Sequence, residues 1–298
     1  MGKTSLINRF QKWLDLGGNS LALFIFSAMT LLPVIESFNR FFNLNNIPAS
    51  QILVQHLTLW IGFFGAVLAT RDNKLLSLTR EPLFQKQDDL DFGQWIAKLT
   101  TFSVLIALAW GSWELLKIEI QFPIDIAPNI PRWFAQIIMP IGFALMALQI
   151  YFYSYKKNIH RLTLIPLVII LSIPGIIDIV FEVLPVVWIG VVIIVYALLK
   201  GAPIFIGLGA VAILFFSADY TPISAIPAEA YRIVVSPTLP TIPLFTLAGY
   251  LLAESKASER FVKVFRELFG WIPGGPPVII VILCGFFTAL TGGSGVTI

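Results

Sequence analysis

The sequence predicts an all-α, polytopic helical membrane protein of about eight spans plus the first limb of a re-entrant hairpin. Three observations predict it. Of the 298 residues, 57% are apolar and only 12% charged, whereas a soluble domain carries roughly 25% charged residues. No globular core of this length hides so much apolar surface, so lipid is the solvent for most of the chain. The apolar residues fall in continuous runs, without the alternation of an outer-membrane barrel. Finally, lysine and arginine are sorted between alternate loops, as multi-pass topology requires.

Taken in order, the spans fall at 19–38, 52–70, 95–115, 132–154, 163–180, 184–199, 203–218 and 240–254. The first follows Lys3, Arg9 and Lys12 but leads into Glu36 and Phe38-Asn39-Arg40 with no small-residue cleavage site, so it reads as a retained signal anchor. Gly2-Lys3-Thr4-Ser5 lacks the upstream glycine of a phosphate loop, and Leu6 spoils a myristoylation signal. Eight crossings from a cytoplasmic N-terminus leave only Arg40, Lys117, Arg132 and Arg232 of the 20 basic residues outside. One span fewer would invert every later loop, so the charge rule also supports the span count. Trp13, Trp95, Trp113, Trp133 and Trp271 fall near predicted span ends, where indoles anchor at headgroups.

The chain divides near residue 160. Residues 1–162 form a four-helix block, 163–182 a connecting transmembrane helix, and 183–298 a second block richer in helix breakers. In the first block the second outer loop is read to hold Glu119 and Asp125, and Pro131 opens the fourth span, where a missing donor costs nothing. In the second block, Gly201-Ala202-Pro203 starts a short span, and Ala228-Glu229-Ala230-Tyr231-Arg232 reads as a helix lying on the surface. Residues 254–269 alternate charge with Phe261, Val264 and Phe265, an amphipathic pattern suited to the inner interface.

The polar constellation with most chemistry follows the apolar stretch 277–290: Thr291-Gly292-Gly293-Ser294-Gly295-Val296-Thr297. A helix ending there is too short to cross, and irregular backbone at membrane depth is tolerated only where it is buried or lines a wet cavity. A re-entrant tip explains it. Backbone carbonyls at Gly292, Gly293 and Gly295, with the hydroxyls of Thr291, Ser294 and Thr297, form an uncharged oxygen set of the kind that holds sodium in broken-helix carriers. Two other readings remain open. Small residues also permit close helix packing, and Gly292-Gly293-Ser294-Gly295 fits the G-x-S-G pattern of an intramembrane serine protease. That protease needs a base within reach of Ser294, and His56 and His160 lie in the first block. Cys284 is the lone cysteine, which excludes a disulfide framework and a multi-cysteine metal site.

The stretch PTIPLFTLAGYLLAESKASERFVKVFRELFGWIPGG, followed by FFTALTGGSGVTI, resembles the large membrane subunit of tripartite ATP-independent periplasmic (TRAP) transporters. The first block is similar to the family's small subunit through Trp60-Ile61-Gly62-Phe63-Phe64-Gly65-Ala66 before Arg71, and Pro131-Arg132-Trp133 with Met139-Pro140-Ile141-Gly142-Phe143. The chain thus resembles a fused small (Q-type) plus large (M-type) subunit of the bacterial inner membrane. The resemblance implies sodium-coupled uptake of a small organic acid delivered by a periplasmic substrate-binding protein, with sodium as the coupling ion and no cofactor. Lipid is the remaining partner; nucleic acid and enzymatic activity are not expected. An elevator-type fold is also implied, with Thr291, Gly292, Gly293, Ser294, Gly295 and Thr297 in its first sodium site. Family members continue well past the hairpin tip at which Ile298 falls. The expectation is therefore a chain truncated within the large subunit, with an incomplete transport domain and no transport on its own. The other reading of such a chain is a non-transporting scaffold or remnant.

Overall fold

A computed structural model describes residues 17–45, 47–72, 74–79, 92–153 and 186–255, with isolated positions between 260 and 285. The regular elements among the described residues are helices, apart from one small hairpin and a bridge between Ser77 and Pro203. In order they form α1 (Asn19–Phe41), α2 (Ser50–Arg71), α3 (Phe92–Gln121), β1 (Asp125–Ala127), β2 (Ile130–Pro131), α4 (Arg132–Gln136), α5 (Ile138–Tyr153), α6 (Val186–Leu199), α7 (Ile204–Ala218), α8 (Ala225–Val234) and α9 (Thr241–Glu254). Four spans meet the length and composition for crossing a membrane: α1, α2, α3 and the α4–α5 pair; α6, α7 and α9 are shorter apolar helices. These match the spans read from hydropathy. The connecting segment 163–182 lies outside the described residues.

The chain forms two compact units, Met1–Val234 and Val235–Ile298. In the first, the 30-residue α3 is the spine. It packs against α5, α6, α7 and α8, while α2 packs against α1 and α5. One apolar core therefore mixes both halves of the sequence: Val67, Phe102, Leu105, Leu108, Met146 and Ile150 meet Ile194, Ile206 and Ala210. Small side chains let α3 and α6 approach closely where Ala97 meets Ala197 and Ala202. Large apolar side chains elsewhere, such as Phe24, Trp188 and Leu208, are exposed, as helices facing lipid require. In the second unit, turns at Ser236–Leu239 and Thr238–Thr241 lead into α9.

Two departures from the sequence reading concern α3 and the span after it. The helix does not stop near residue 115 but runs to Gln121. Glu119 is therefore a buried helical residue rather than a loop residue, and Trp113 lies two turns inside the helix rather than at its end. At about 1.5 Å per residue, α3 is roughly 45 Å long and overshoots a hydrocarbon layer of about 30 Å. Hydropathy falls where a helix leaves hydrocarbon, but its hydrogen bonds continue. The fourth span is broken at Ile137. Pro140 has no N–H to give to Gln136 and crowds that carbonyl, which accounts for the break.

Four helices end in one hydrogen-bonding pattern, in which the second residue past the cap donates to the carbonyl five residues back. The pairs are Leu44 to Asn39 at 2.8 Å, Lys74 to Ala69 at 2.9 Å, Ala202 to Ala197 at 3.0 Å and Thr221 to Phe216 at 2.8 Å. The pattern needs a left-handed residue, supplied by Gly201 after α6 (φ 97°) and by Tyr220 after α7 (φ 52°). Pro203 then starts α7. Gly201→Ala places a Cβ against the following carbonyl and is expected to cost about 1–2 kcal/mol, read as a lower unfolding midpoint in detergent. An unchanged midpoint would remove Gly201 from the determinants of this turn.

Candidate functional site

The tip residues Thr291, Gly292, Gly293, Ser294, Gly295 and Thr297 lie outside the described residues. What the structure builds is the polar framework of the first unit, at the two ends of its helix bundle. One end carries Arg132, the other Arg71 and Lys200.

At the Arg132 end, α4 starts behind the hairpin with Pro131 in an extended conformation. Arg132 N donates to Ile124 O at 2.8 Å, which closes the hairpin onto the helix start. Its guanidinium then reaches Glu119 on α3 as a two-pronged pair, with Nε to Oε2 at 2.9 Å and Nη2 to Oε1 at 2.6 Å. The Glu119 side chain is 11% exposed and that of Arg132 30%. Thus α3 and α4 are locked in register by a planar fork that lysine does not reproduce. Trp60 Nε1 on α2 donates to Ala135 O at 3.0 Å, tying the third element to the same point.

Next to this pair lies His56, on α2 and 5% exposed. Its Nδ1 is 2.7 Å from Ile52 O and its Nε2 is 2.7 Å from the hydroxyl of Tyr231 on α8. Burial pushes the Tyr231 phenol up to about 12, with Arg132 lowering it and Glu119 raising it, so the hydroxyl keeps its proton at neutral pH. The amphipathic α8 turns Ile226, Pro227, Tyr231 and Val234 inward and leaves Glu229, Arg232 and Ile233 exposed. Its approach depends on Gly111 of α3: a Cβ there would stand 2.9 Å from both the carbonyl oxygen and Cγ2 of Ile223, just before α8. Because one obstacle is backbone, Gly111→Ala is expected to push α8 off α3 at about 1–3 kcal/mol. Faster hydrogen exchange across 225–234 with the rest of the bundle unchanged is the expected signature. Unchanged exchange there would mean the contact relaxes.

Glu36 on α1 bonds Ser50 at the start of α2 and pairs with Arg40 at 3.2 Å. Both of these partners lie within the chain. At the other end of the bundle, Ile204 N donates to Leu76 O at 2.9 Å, and Ser77 forms a bridge with Pro203. Lys200 lies across Gly93, where a Cβ would meet its Cε at 2.7 Å, and Lys98 is buried on α3.

Sequence reasoning missed the Glu119–Arg132 and His56–Tyr231 pairs, as well as the Leu76–Ile204 tie. Glu119 and Arg132 stand near the same predicted membrane face with opposite charge, a signal that was available. Nothing in the sequence links His56 to a residue 175 positions away.

Comparison with known proteins assigns the two halves of this framework. Residues 29–155 match tripartite ATP-independent periplasmic transporters, DctQ component, and residues 190–297 match the DctM component of the same transporters. A protein of Oleidesulfovibrio alaskensis that resembles both halves is named isethionate TRAP transporter permease protein DctMQ. It is 25% identical over 259 residues, which are 84% of this chain and 40% of that one. A C4-dicarboxylate TRAP transporter large permease protein DctM of Vibrio cholerae is 28% identical over 109 residues, 36% of this chain and 24% of its own length. The corresponding protein of Rhodobacter capsulatus is 29% identical over 102 residues, 34% of this chain and 23% of its own. The chain spans less than half the length of these relatives. It belongs to the tripartite ATP-independent periplasmic transporter family, as a DctQ-type block and a DctM-type segment fused on one multi-pass membrane polypeptide.

Proposed function

We propose that this chain is the membrane component of a sodium-coupled secondary transporter that imports a small organic acid delivered by a periplasmic substrate-binding protein. The observation that carries this reading is the succession of a DctQ match and a DctM match on one chain. The relatives' names speak of isethionate and of C4-dicarboxylates. Both are small anions rich in acceptor oxygens, so an organic acid is the substrate class, with a carboxylate as its commonest form. The positive-inside pattern supports a cytoplasmic N-terminus. In that orientation the Arg71 end faces the cytoplasm, and the Arg132 end with α8 faces the periplasm. The sodium ligands are the tip oxygens of Thr291, Gly292, Gly293, Ser294, Gly295 and Thr297. The protein acts as a permease and not as an enzyme.

The test is uptake of labelled isethionate and succinate by proteoliposomes holding the complete fused permease, with its binding protein outside. Uptake that requires both an inward sodium gradient and the binding protein is the expected result. Uptake that ignores sodium would remove the coupling, and uptake without the binding protein would remove the partner.

A further inference from the structure

His56 is a polar ring held inside α2, and both of its nitrogens are engaged. The Ile52 carbonyl can only accept, so Nδ1 carries the ring proton and Nε2 offers its lone pair to the Tyr231 hydroxyl. This bond joins the DctQ-type block to the DctM-type segment. Among the described residues, no other hydrogen bond links α8 to the first block. The remaining contacts there are apolar, with Tyr231 and Val234 packed on Leu59, Ile138 and Met139. Apolar contacts are non-directional, so with the close approach at Gly111 setting its distance from α3 they specify the rotation of α8 less sharply. A 2.7 Å hydrogen bond fixes a direction. Three residues beyond Tyr231, at Val234, the first compact unit ends.

We propose that His56 and Tyr231 are a positioning pair for the transport cycle: the Nδ1–H tautomer of His56 accepts the Tyr231 hydroxyl and sets the rotation and register of α8. The pair thereby fixes the place from which the chain departs for the second unit. This role depends on the transporter reading above, although the bond itself does not. Arg132 and Glu119 neutralise each other beside the ring, so a neutral imidazole meets no uncompensated charge there.

The test uses the complete permease carrying ¹⁵N-histidine, in which the His56 signals are those lost in His56→Gln. In the parent, Nδ1 is expected protonated and Nε2 unprotonated and hydrogen-bonded. Tyr231→Phe keeps the ring's packing and removes only the donor. It is expected to shift the Nε2 resonance and to speed exchange of the α8 amides about tenfold, the effect of leaving one buried acceptor unpaired. It should also lower the maximal uptake rate several-fold at unchanged KM. His56→Gln retains an acceptor and is expected to protect α8 better than His56→Leu. An unmoved Nε2 resonance in Tyr231→Phe, unchanged α8 exchange, or uptake at the parent's maximal rate would each overturn the proposal. Absence of sodium-dependent uptake by the parent would sink the transporter reading instead. The two failures are separable because resonance and exchange are read on the same protein without transport.

Discussion

Arg132→Ala is expected to destabilise the first unit by about 3 kcal/mol, the lower end of the cost of breaking a buried ion pair by removing one partner. Its consequence lies less in the attraction that is lost than in the charge left behind. Glu119 is almost wholly buried on α3, and its two oxygens are taken by Nη2 and Nε of Arg132 at 2.6 and 2.9 Å. With the guanidinium gone, that carboxylate is left as an unpaired charge in a poor solvent or draws water into the bundle. The opposite view is that Arg132, with 30% of its side chain exposed, forms a surface pair worth about 0–1 kcal/mol. Unfolding midpoints in detergent separate the two. A large drop that is insensitive to added salt marks a buried pair, whereas a small, salt-dependent drop marks a surface one. A second comparison sharpens the reading. Glu119→Gln leaves hydrogen-bonding capacity and should lose less, and Glu119→Leu with Arg132→Met should recover most of the stability, because no charge is then stranded. A double variant as unstable as the sum of its singles would show that the two residues act separately.

That pair also shows where sequence reading stopped. The spans were legible because lipid makes one demand on every residue in it, so the apolar runs around Leu59, Leu105, Met146 and Ile206 mark themselves. Turns were legible where chemistry is local: Pro131 and Pro203 start helices, and Gly201 ends one. The end of α3 was not, because Lys117 and Glu119 look like loop residues to hydropathy, although the helix runs past the apolar layer. Pairing across the fold was not legible either. His56 carries no local sign of its bond to Tyr231, and neither Leu76 nor Ile204 signals the backbone hydrogen bond between them. The surface helix was half legible: its pattern at 228–232 was visible, but its docking site needs Gly111, a residue that looks like filler in α3. Of the candidate sodium site, Thr291 to Thr297 were legible as composition alone. Their oxygens become a site only through backbone geometry, which lies outside the described residues.

On the proposed site, Ser294→Ala in the complete permease is expected to move the sodium dependence of uptake to at least about tenfold higher concentration. Sodium binds weakly to any single oxygen, so its affinity depends on the full count of ligands closing around it. On the proposed sodium site, removing the Ser294 hydroxyl would delete one ligand and leave the others arranged around a gap. A loss of about 1.4 kcal/mol raises the sodium needed for half-maximal uptake tenfold, and a twofold larger loss raises it a hundredfold. Each net charge entering with substrate is driven by about 2.3 kcal/mol per 100 mV, so an ion that no longer binds removes the gradient's leverage along with its affinity. Three readings of Gly292-Gly293-Ser294-Gly295 then part company in one sodium titration. If Ser294 is a ligand, the sodium curve moves to higher concentration, and Ser294→Thr, which keeps a hydroxyl, recovers part of it. If the small residues only allow close packing, Ser294→Ala is almost neutral and Gly293→Ala is the damaging change. If Ser294 were a protease nucleophile, the alanine variant would spare sodium dependence and remove a cleavage activity instead. A parent-like sodium curve in Ser294→Ala would therefore strike Ser294 from the ligand set and leave the coupling ion to be held elsewhere in the permease.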